Sequence, residues 1–150
     1  MITLQEKAYA KLNLTLDILG KREDGFHDLS MVVQPISLCD ELEIILGTGE
    51  PWQVRSDQDT VPTGRKNLAY KAAKAYYEAA ADPDGLRITI TKRIPMEGGL
   101  GGGSADAAAV LRALNQNDGN RFSMQELEEI ALSLGSDVPF CLHNQTALVE

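Results

Sequence analysis

Five of the six residues from Gly98 to Gly103 are glycine, within the stretch IPMEGGLGGGSADAAAVLRALN that runs from Ile94 to Asn115. Glycine gives up the most backbone freedom on folding, so a cluster of it marks a place where the backbone itself has a task. A strand before the cluster and a helix after it make an anion site. The glycines give the backbone the freedom for successive N–H groups of Gly98, Gly99, Leu100, Gly101, Gly102, Gly103 and Ser104 to turn toward one ligand, and the helix dipole adds partial positive charge. The chemistry this suits is phosphate binding, with the Ser104 hydroxyl placed to approach a phosphate or a Mg²⁺ ion beside it. Two familiar phosphate loops are excluded. Gly98 and Gly103 have the Walker A separation, but Ser104 and Ala105 stand where that loop needs Lys and then Ser or Thr. The dinucleotide and protein-kinase pattern GxGxxG fails because Ser104 occupies its sixth place. A simple tight turn would need one or two glycines and leaves the others unexplained.

The elements that must carry this loop follow from periodicity. Leu12, Leu14, Leu16 and Ile18 alternate with Lys11, Asn13, Thr15 and Asp17, a strand with one buried face and a polar set on the other. A polar loop from Gly20 to Asp28 turns at Asp24-Gly25. LSMVVQPISL and ELEIIL read as strands, with Pro35 marking an edge or a break, and a short strand is expected around Trp52 to Val54. Asn67 is a good N-cap for a helix running to about Ala81 with Leu68, Ala72, Ala75, Tyr76 and Ala79 on one face. Leu86, Ile88 and Ile90 alternate in the strand that leads to the glycine loop. Beyond it Ala107, Val110, Leu111 and Leu114 predict a helix from about Ser104 to Asn115. Ser123 and Glu126 form a capping box for a further helix closed by Gly135. The final residues look like a strand. Asp137, the only acid in LGSDVPFCL, either caps a following turn or serves in chemistry, and the local residues leave both open.

Composition narrows the classes. At 150 residues, 43% hydrophobic and 24% charged, the chain suits one soluble domain with a substantial core. A net charge of −8 argues against a nucleic-acid or anionic-membrane partner, both of which want a basic face. Cys39 and Cys141 form no CxxC, and with His27 and His143 far apart in sequence no metal spacing emerges, so two structural thiols in a reducing compartment are expected. No basic leader precedes an apolar core, and no run approaches the ~18–20 apolar residues of a membrane span. The cytoplasm is the expected location. Oligomeric state is not set by these patterns, and a homodimer stays open.

The motif PMEGGLGGGSADAAA resembles the central block of the GHMP small-molecule kinases. AYAKLNLTLDILGKREDGFHDL and LGSDVPF are similar to the first and third blocks of one branch of that superfamily, which phosphorylates a cytidine-diphosphate-linked methylerythritol in the non-mevalonate route to isoprenoids. The three blocks span Ala8 to Phe140 in order. The resemblance implies an α+β fold, ribosomal protein S5 domain 2-like, with a mixed, largely antiparallel sheet and helices on one side. It also implies ATP and Mg²⁺ as cofactors.

Roles come with the resemblance, residue by residue. Asp137 stands at the family's catalytic aspartate and Lys11 at the cation beside it, against the plainer reading of Lys11 as a solvated strand lysine. Asn13 shares the Lys11 face and joins the substrate site. Phe26 and His27 take the cytosine end, one by stacking and one by hydrogen bonding, with no tyrosine hydroxyl at Phe26. Asn67, Leu68 and Lys92 match positions around adenine, although Asn67 is equally an N-cap. Two departures stand out: Glu97 where small residues are usual, and Ala105-Asp106 after Ser104 where a second hydroxyl often occurs, Asp106 being explained by the helix dipole alone. The resemblance further implies a second domain completing the cleft. This chain is therefore expected to be an N-terminal portion, inactive alone. Other GHMP kinases acting on sugars, homoserine or mevalonate, the related diphosphomevalonate decarboxylase, and a non-catalytic nucleotide-binding module are the alternatives. The GFHDL loop and the Lys11/Asp137 pairing count against them.

Overall fold

The computed structural model describes residues 1–21, 27–96, 100–143 and 147–149. Phe26, Glu97, Gly98 and Gly99 lie outside the described residues, and Asn13 and His27 are placed by backbone alone. In chain order the elements are β1 (Ile2–Lys21), β2 (His27–Leu46), β3 (Gln53–Ser56), a 3₁₀ turn (Gly64–Lys66), α1 (Leu68–Tyr77), β4 (Leu86–Thr91), α2 (Gly102–Asn117), α3 (Met124–Leu134), α4 (Val138–His143) and β5 (Ala147–Val149). The sheet runs β1-β2-β4-β3, with β5 paired to β2 at Met31–Val33. Every pairing is antiparallel except β3 with β4. A parallel pair needs a crossover, and the 3₁₀ turn with α1 supplies it. The expected α+β architecture is what the chain adopts.

The core face follows the period of two. Leu42, Ile44 and Leu46 on β2 lie opposite Ile90, Ile88 and Leu86 on β4, and all six are buried. Each such side chain taken out of water contributes roughly 1.5–3 kcal/mol. Ala8 and Ala10 on β1 are also fully buried. Their short side chains suit the alanine-rich α2, which packs on β1 and β2 and also touches α1, α3 and α4. This helix is buried nearly all round, from Ala105 through Leu111. The single apolar stripe expected from Ala107, Val110, Leu111 and Leu114 is thus part of a wider buried surface, as a central helix requires.

Several boundaries differ from the expected ones. β1 begins at Ile2, not near Leu12, because its first half buries alanines, which are weak strand formers and leave a faint pattern. A register shift between Asn13 and Thr15 breaks the alternation that grouped Thr15 and Asp17 with Lys11 and Asn13, which stay in register with Val33 and Pro35. Pro35 falls between the stretches of β2 that pair with β5 and with β4, opposite a second shift at Tyr9/Lys11. α1 stops at Tyr77, short of Ala81; its buried set is Ala69, Ala72, Ala73 and Tyr76, while Ala79 is exposed. α2 starts two residues early because Gly101 takes the N-cap position at φ 70°. The Ser123/Glu126 capping box is present on α3. α4 was not expected: six residues are too few to show a period, and Pro139 falls in its first turn, where a missing N–H costs nothing.

Candidate functional site

Two lysines sit beneath the N-terminus of α2, one on each side. Lys11 occupies the register break of β1, so its N–H is free of β2 and donates to the Leu100 carbonyl at 3.0 Å. Its aliphatic stem lies against Gly101: a Cβ there would meet Lys11 Cε at 2.7 Å. Gly101 is therefore required twice, for its left-handed backbone and for the lysine packed on it. The Lys11 side chain is 11% exposed and its Nζ stands 3.5 Å from Asp137 Oδ2. This departs from the picture of a solvated strand lysine. Asp137 immediately precedes α4, and its side chain remains 56% exposed. Among the described residues its carboxylate takes no hydrogen bond from the α4 backbone, so its contact is the ammonium, and the capping role is not what holds it.

On the other side, Lys92 follows β4 and packs against Gly102, where a Cβ would come within 2.9 Å of Nζ. Its ammonium bridges Asp40 Oδ2 at 2.7 Å and Asp106 Oδ2 at 3.0 Å. Asp40 Oδ1 accepts the N–H groups of Arg93 and Ile94 at 2.7 and 2.8 Å. The three buried side chains thus fasten both ends of the glycine loop, its entry through Arg93 and Ile94 and its exit through Asp106 on α2. Asp106 is no mere dipole partner. It is 3% exposed, and its Oδ1 is a buried oxygen without a hydrogen-bond partner among the described residues. Burial and a hydrogen bond with Asp40 push its carboxyl up to about 8 against the pull of Lys92. Burial also raises Asp40, but hydrogen bonds from Asp106, Ile94, Lys92 and Arg93 outweigh it and hold this carboxyl below its ordinary value. Lys92 loses by burial and gains more from the two acids, so its pKa is raised. At neutral pH the cluster therefore holds one ammonium, one carboxylate and one neutral acid.

A pH dependence follows. The folded chain keeps a proton on Asp106 that the unfolded chain releases near 3.8. The stabilisation from this group is complete below that value and is lost as pH rises to about 8. Asp106→Asn keeps the shape and the neutral form. Its melting temperature should decline less than that of the parent between pH 5 and pH 8 (about those values) when melts are run across this window. Parallel curves would show that Asp106 is ionised throughout.

Gly101→Ala tests the other side. A left-handed alanine costs about 1–2 kcal/mol before any steric conflict with Lys11, so urea unfolding should show at least that loss. A change under about 0.5 kcal/mol would mean that the loop relaxes freely.

Between α1 and the glycine loop lies a cavity of about 230 Å³ whose walls include Pro62, Asn67, Leu68, Lys92, Gly103 and Asp106. Asn67 caps α1, accepting the Ala69 N–H at 2.8 Å, and its amide donates to the Pro62 carbonyl at 2.8 Å. It is thus an N-cap and a cavity wall at once, with two hydrogen-bonding positions that take no partner among the described residues. A Cβ on Gly103 would meet nothing within 4 Å. The neighbouring protein does not demand glycine there, but the open space beside the first turn of α2 does suit an anion. A larger, open hollow on β1, lined by Gln5, Lys7, Tyr9 and Glu41, has no part in this arrangement. Among the described residues no group of three or more His, Cys, Asp or Glu is placed to hold a metal, and no helix is long and apolar enough to cross a membrane.

Two clusters were not read from the sequence. Asp40 lies in step with Leu42, Ile44 and Leu46, and Lys92 with Leu86, Ile88 and Ile90; opposite charges at the ends of two paired core stripes were the signal. Arg112 is the other missed residue: its side chain, 17% exposed, reaches from α2 to α4 and β1.

The glycine turn thus stands at the N-terminus of α2 with the Lys11–Asp137 pair on one side and the cavity of about 230 Å³ on the other, and backbone N–H groups at a helix N-terminus suit an anion. The GHMP kinases N-terminal domain family matches residues 67–145, and the chain belongs to that family. More particularly, it is 47% identical over 150 residues to 4-diphosphocytidyl-2-C-methyl-D-erythritol kinase of Geobacter sulfurreducens, covering 100% of this chain and 54% of that protein. The same-named kinase of Clostridium beijerinckii is 48% identical over 144 residues, 96% of this chain and 51% of the relative. A crystal structure of 4-(cytidine 5'-diphospho)-2C-methyl-D-erythritol kinase superposes with a TM-score of 0.79 at 41% identity, over 97% of this chain and 51% of that one. The Methanococcus jannaschii mevalonate kinase, at 13% identity and a TM-score of 0.72 over 99% of this chain and 53% of that one, shares the fold. The chain spans about half the length of the curated relatives it matches.

Proposed function

We propose that this chain forms the ATP-binding part of an enzyme that phosphorylates the 2-hydroxyl of 4-diphosphocytidyl-2-C-methyl-D-erythritol, a cytoplasmic step in non-mevalonate isoprenoid precursor synthesis. The observation that carries the proposal is the Lys11–Asp137 pair, 3.5 Å apart beside the glycine turn. Phosphoryl transfer is mostly positioning and charge stabilisation. The α2 N-terminus and the loop from Gly98 to Ser104 bind the triphosphate, while Asn67, Leu68 and Lys92 border the base. Asp137 orients the attacking hydroxyl and takes its proton as the new O–P bond forms and the bond from the γ-phosphorus to ADP breaks, and Lys11 balances the charge that gathers between them. Phe26, His27 and Asn13 hold the cytidyl substrate.

A Mg²⁺ that arrives on the nucleotide keeps several waters and is held largely by the substrate phosphates, so it asks little of the protein. Ser104, in the first turn of α2, is the residue whose hydroxyl would approach it. When bound it supplies charge neutralisation at the phosphate oxygens.

The test is a substrate panel on the full-length enzyme, following ADP release. Turnover of the cytidyl substrate, with mevalonate, homoserine and galactose ignored, is expected. Turnover of any of those three with the cytidyl substrate ignored would overturn the proposal.

A further inference from the structure

The reacting pair comes from opposite ends of the chain, so something must fix the distance between β1 and α4. Lys11 with Asp137, the salt link between them at the site among the described residues, is itself the pair to be positioned, and one of its partners is more than half exposed. A second link lies one turn away. Arg112 Nη1 donates to the Cys141 carbonyl at 2.6 Å and Nη2 donates to the Lys7 carbonyl at 2.9 Å, with Glu6 Oε1 at 3.7 Å from Nη2. Lys7 lies four residues before Lys11, and Cys141 four residues after Asp137. The two carbonyls are ones their own elements leave free. Cys141 belongs to the last turn of a six-residue helix, where carbonyls lack intrahelical donors. Lys7 belongs to β1, the end strand of the sheet, whose outer edge offers unpaired groups. A guanidinium suits this task because its donors form a rigid planar fork, so two carbonyls bound to it are held at a fixed separation.

We propose that Arg112 is a positioning residue for phosphoryl transfer: its guanidinium, bridging the Cys141 and Lys7 carbonyls, sets the approach of Asp137 to Lys11. The proposal rests on the functional reading above. Arg112 touches neither nucleotide nor substrate and acts through Asp137. Lysine at this place would keep the charge and one hydrogen bond but lose the fork.

The experiment is a double-mutant cycle in the full-length enzyme, with wild type, Arg112→Ala, Asp137→Asn and the double variant, and Arg112→Lys beside them. Turnover number, KM for ATP and melting temperature are measured on each. Arg112→Ala should lower kcat about 10–100-fold, since a displacement near 1 Å can cost that much, with the KM for ATP within about threefold. In the Asp137→Asn background the same substitution should lower kcat less than about threefold, because residues acting as one unit are not additive. Arg112→Lys should fall between wild type and Arg112→Ala, and it carries the same cycle if the alanine variant does not fold. Equal losses of kcat in both backgrounds, or a loss confined to the KM for ATP, would overturn the proposal. The cycle reads a ratio of turnover numbers with whichever alcohol the enzyme accepts. Substrate choice therefore tests the functional reading, and non-additivity tests Arg112.

Discussion

Replacing Lys92 with methionine is expected to cost about 3–5 kcal/mol of folding stability, the range found when one partner is removed from a buried ionic cluster. Methionine matches the length of the stem and can fill the space beside Gly102, so the loss isolates the charge. The Lys92 side chain is 4% exposed and faces the side chains of Asp40 and Asp106, themselves 0% and 5% exposed. Without it Asp40 keeps its two backbone donors from Arg93 and Ile94, which sets the cost toward the lower end of the range. Asp106 then has only its own proton to offer Asp40. The penalty should therefore shrink when Asp106→Asn is added to Lys92→Met, since an amide donates to Asp40 without needing to stay protonated. Urea unfolding midpoints on the single and double variants measure both effects. A loss below about 1 kcal/mol for Lys92→Met would mean that water reaches the cluster and screens it.

This cluster also marks where the sequence stops being legible. The glycine loop, the Asn67 cap and the Ser123/Glu126 capping box were readable because each is complete within a few residues. Backbone freedom, an acceptor at a helix start and a reciprocal pair three apart are local physics. Asp40, Lys92 and Asp106 are separated by 52 and 14 positions along the chain. They meet only because β2 and β4 pair in one register and α2 starts just above them. Asp106 alone, in a first helical turn, looked satisfied by the dipole, and only its burial shows the debt it carries. For Lys11 it was the resemblance, and not the local pattern, that set the side chain beside Asp137. A strand lysine is solvated by default, and what encloses this one is a register break plus a glycine whose missing Cβ makes room for its stem. The fold class was legible because consecutive strands near the N-terminus, with no helix between them, exclude a doubly wound sheet. Helix ends were less so, since α1 stops at Tyr77 where nothing in the alanine run requires it to stop.

Asp137→Asn is expected to lower the turnover of the full-length enzyme by about 10²–10⁴-fold, the usual worth of a positioned proton acceptor. Asparagine keeps the shape and one hydrogen-bonding oxygen but can neither take the proton nor balance the Lys11 charge. ATP affinity should change little, because the turn at Gly101 and the α2 N-terminus hold phosphate independently of this side chain. Stability should also hold. The Asp137 side chain is 56% exposed at 3.5 Å from Lys11, so solvent screens the pair and its loss costs at most about 1 kcal/mol. If Asp137 were only a cap, the pattern would reverse, with turnover per folded molecule intact and any deficit following the melting temperature. Lys11→Met supplies the complement: it should also lower turnover, and combining it with Asp137→Asn should cost less than the product of the two, as for residues that act as one unit. Turnover of Asp137→Asn within a few-fold of wild type would remove this carboxylate from the mechanism and leave Lys11 as a phosphate-side cation.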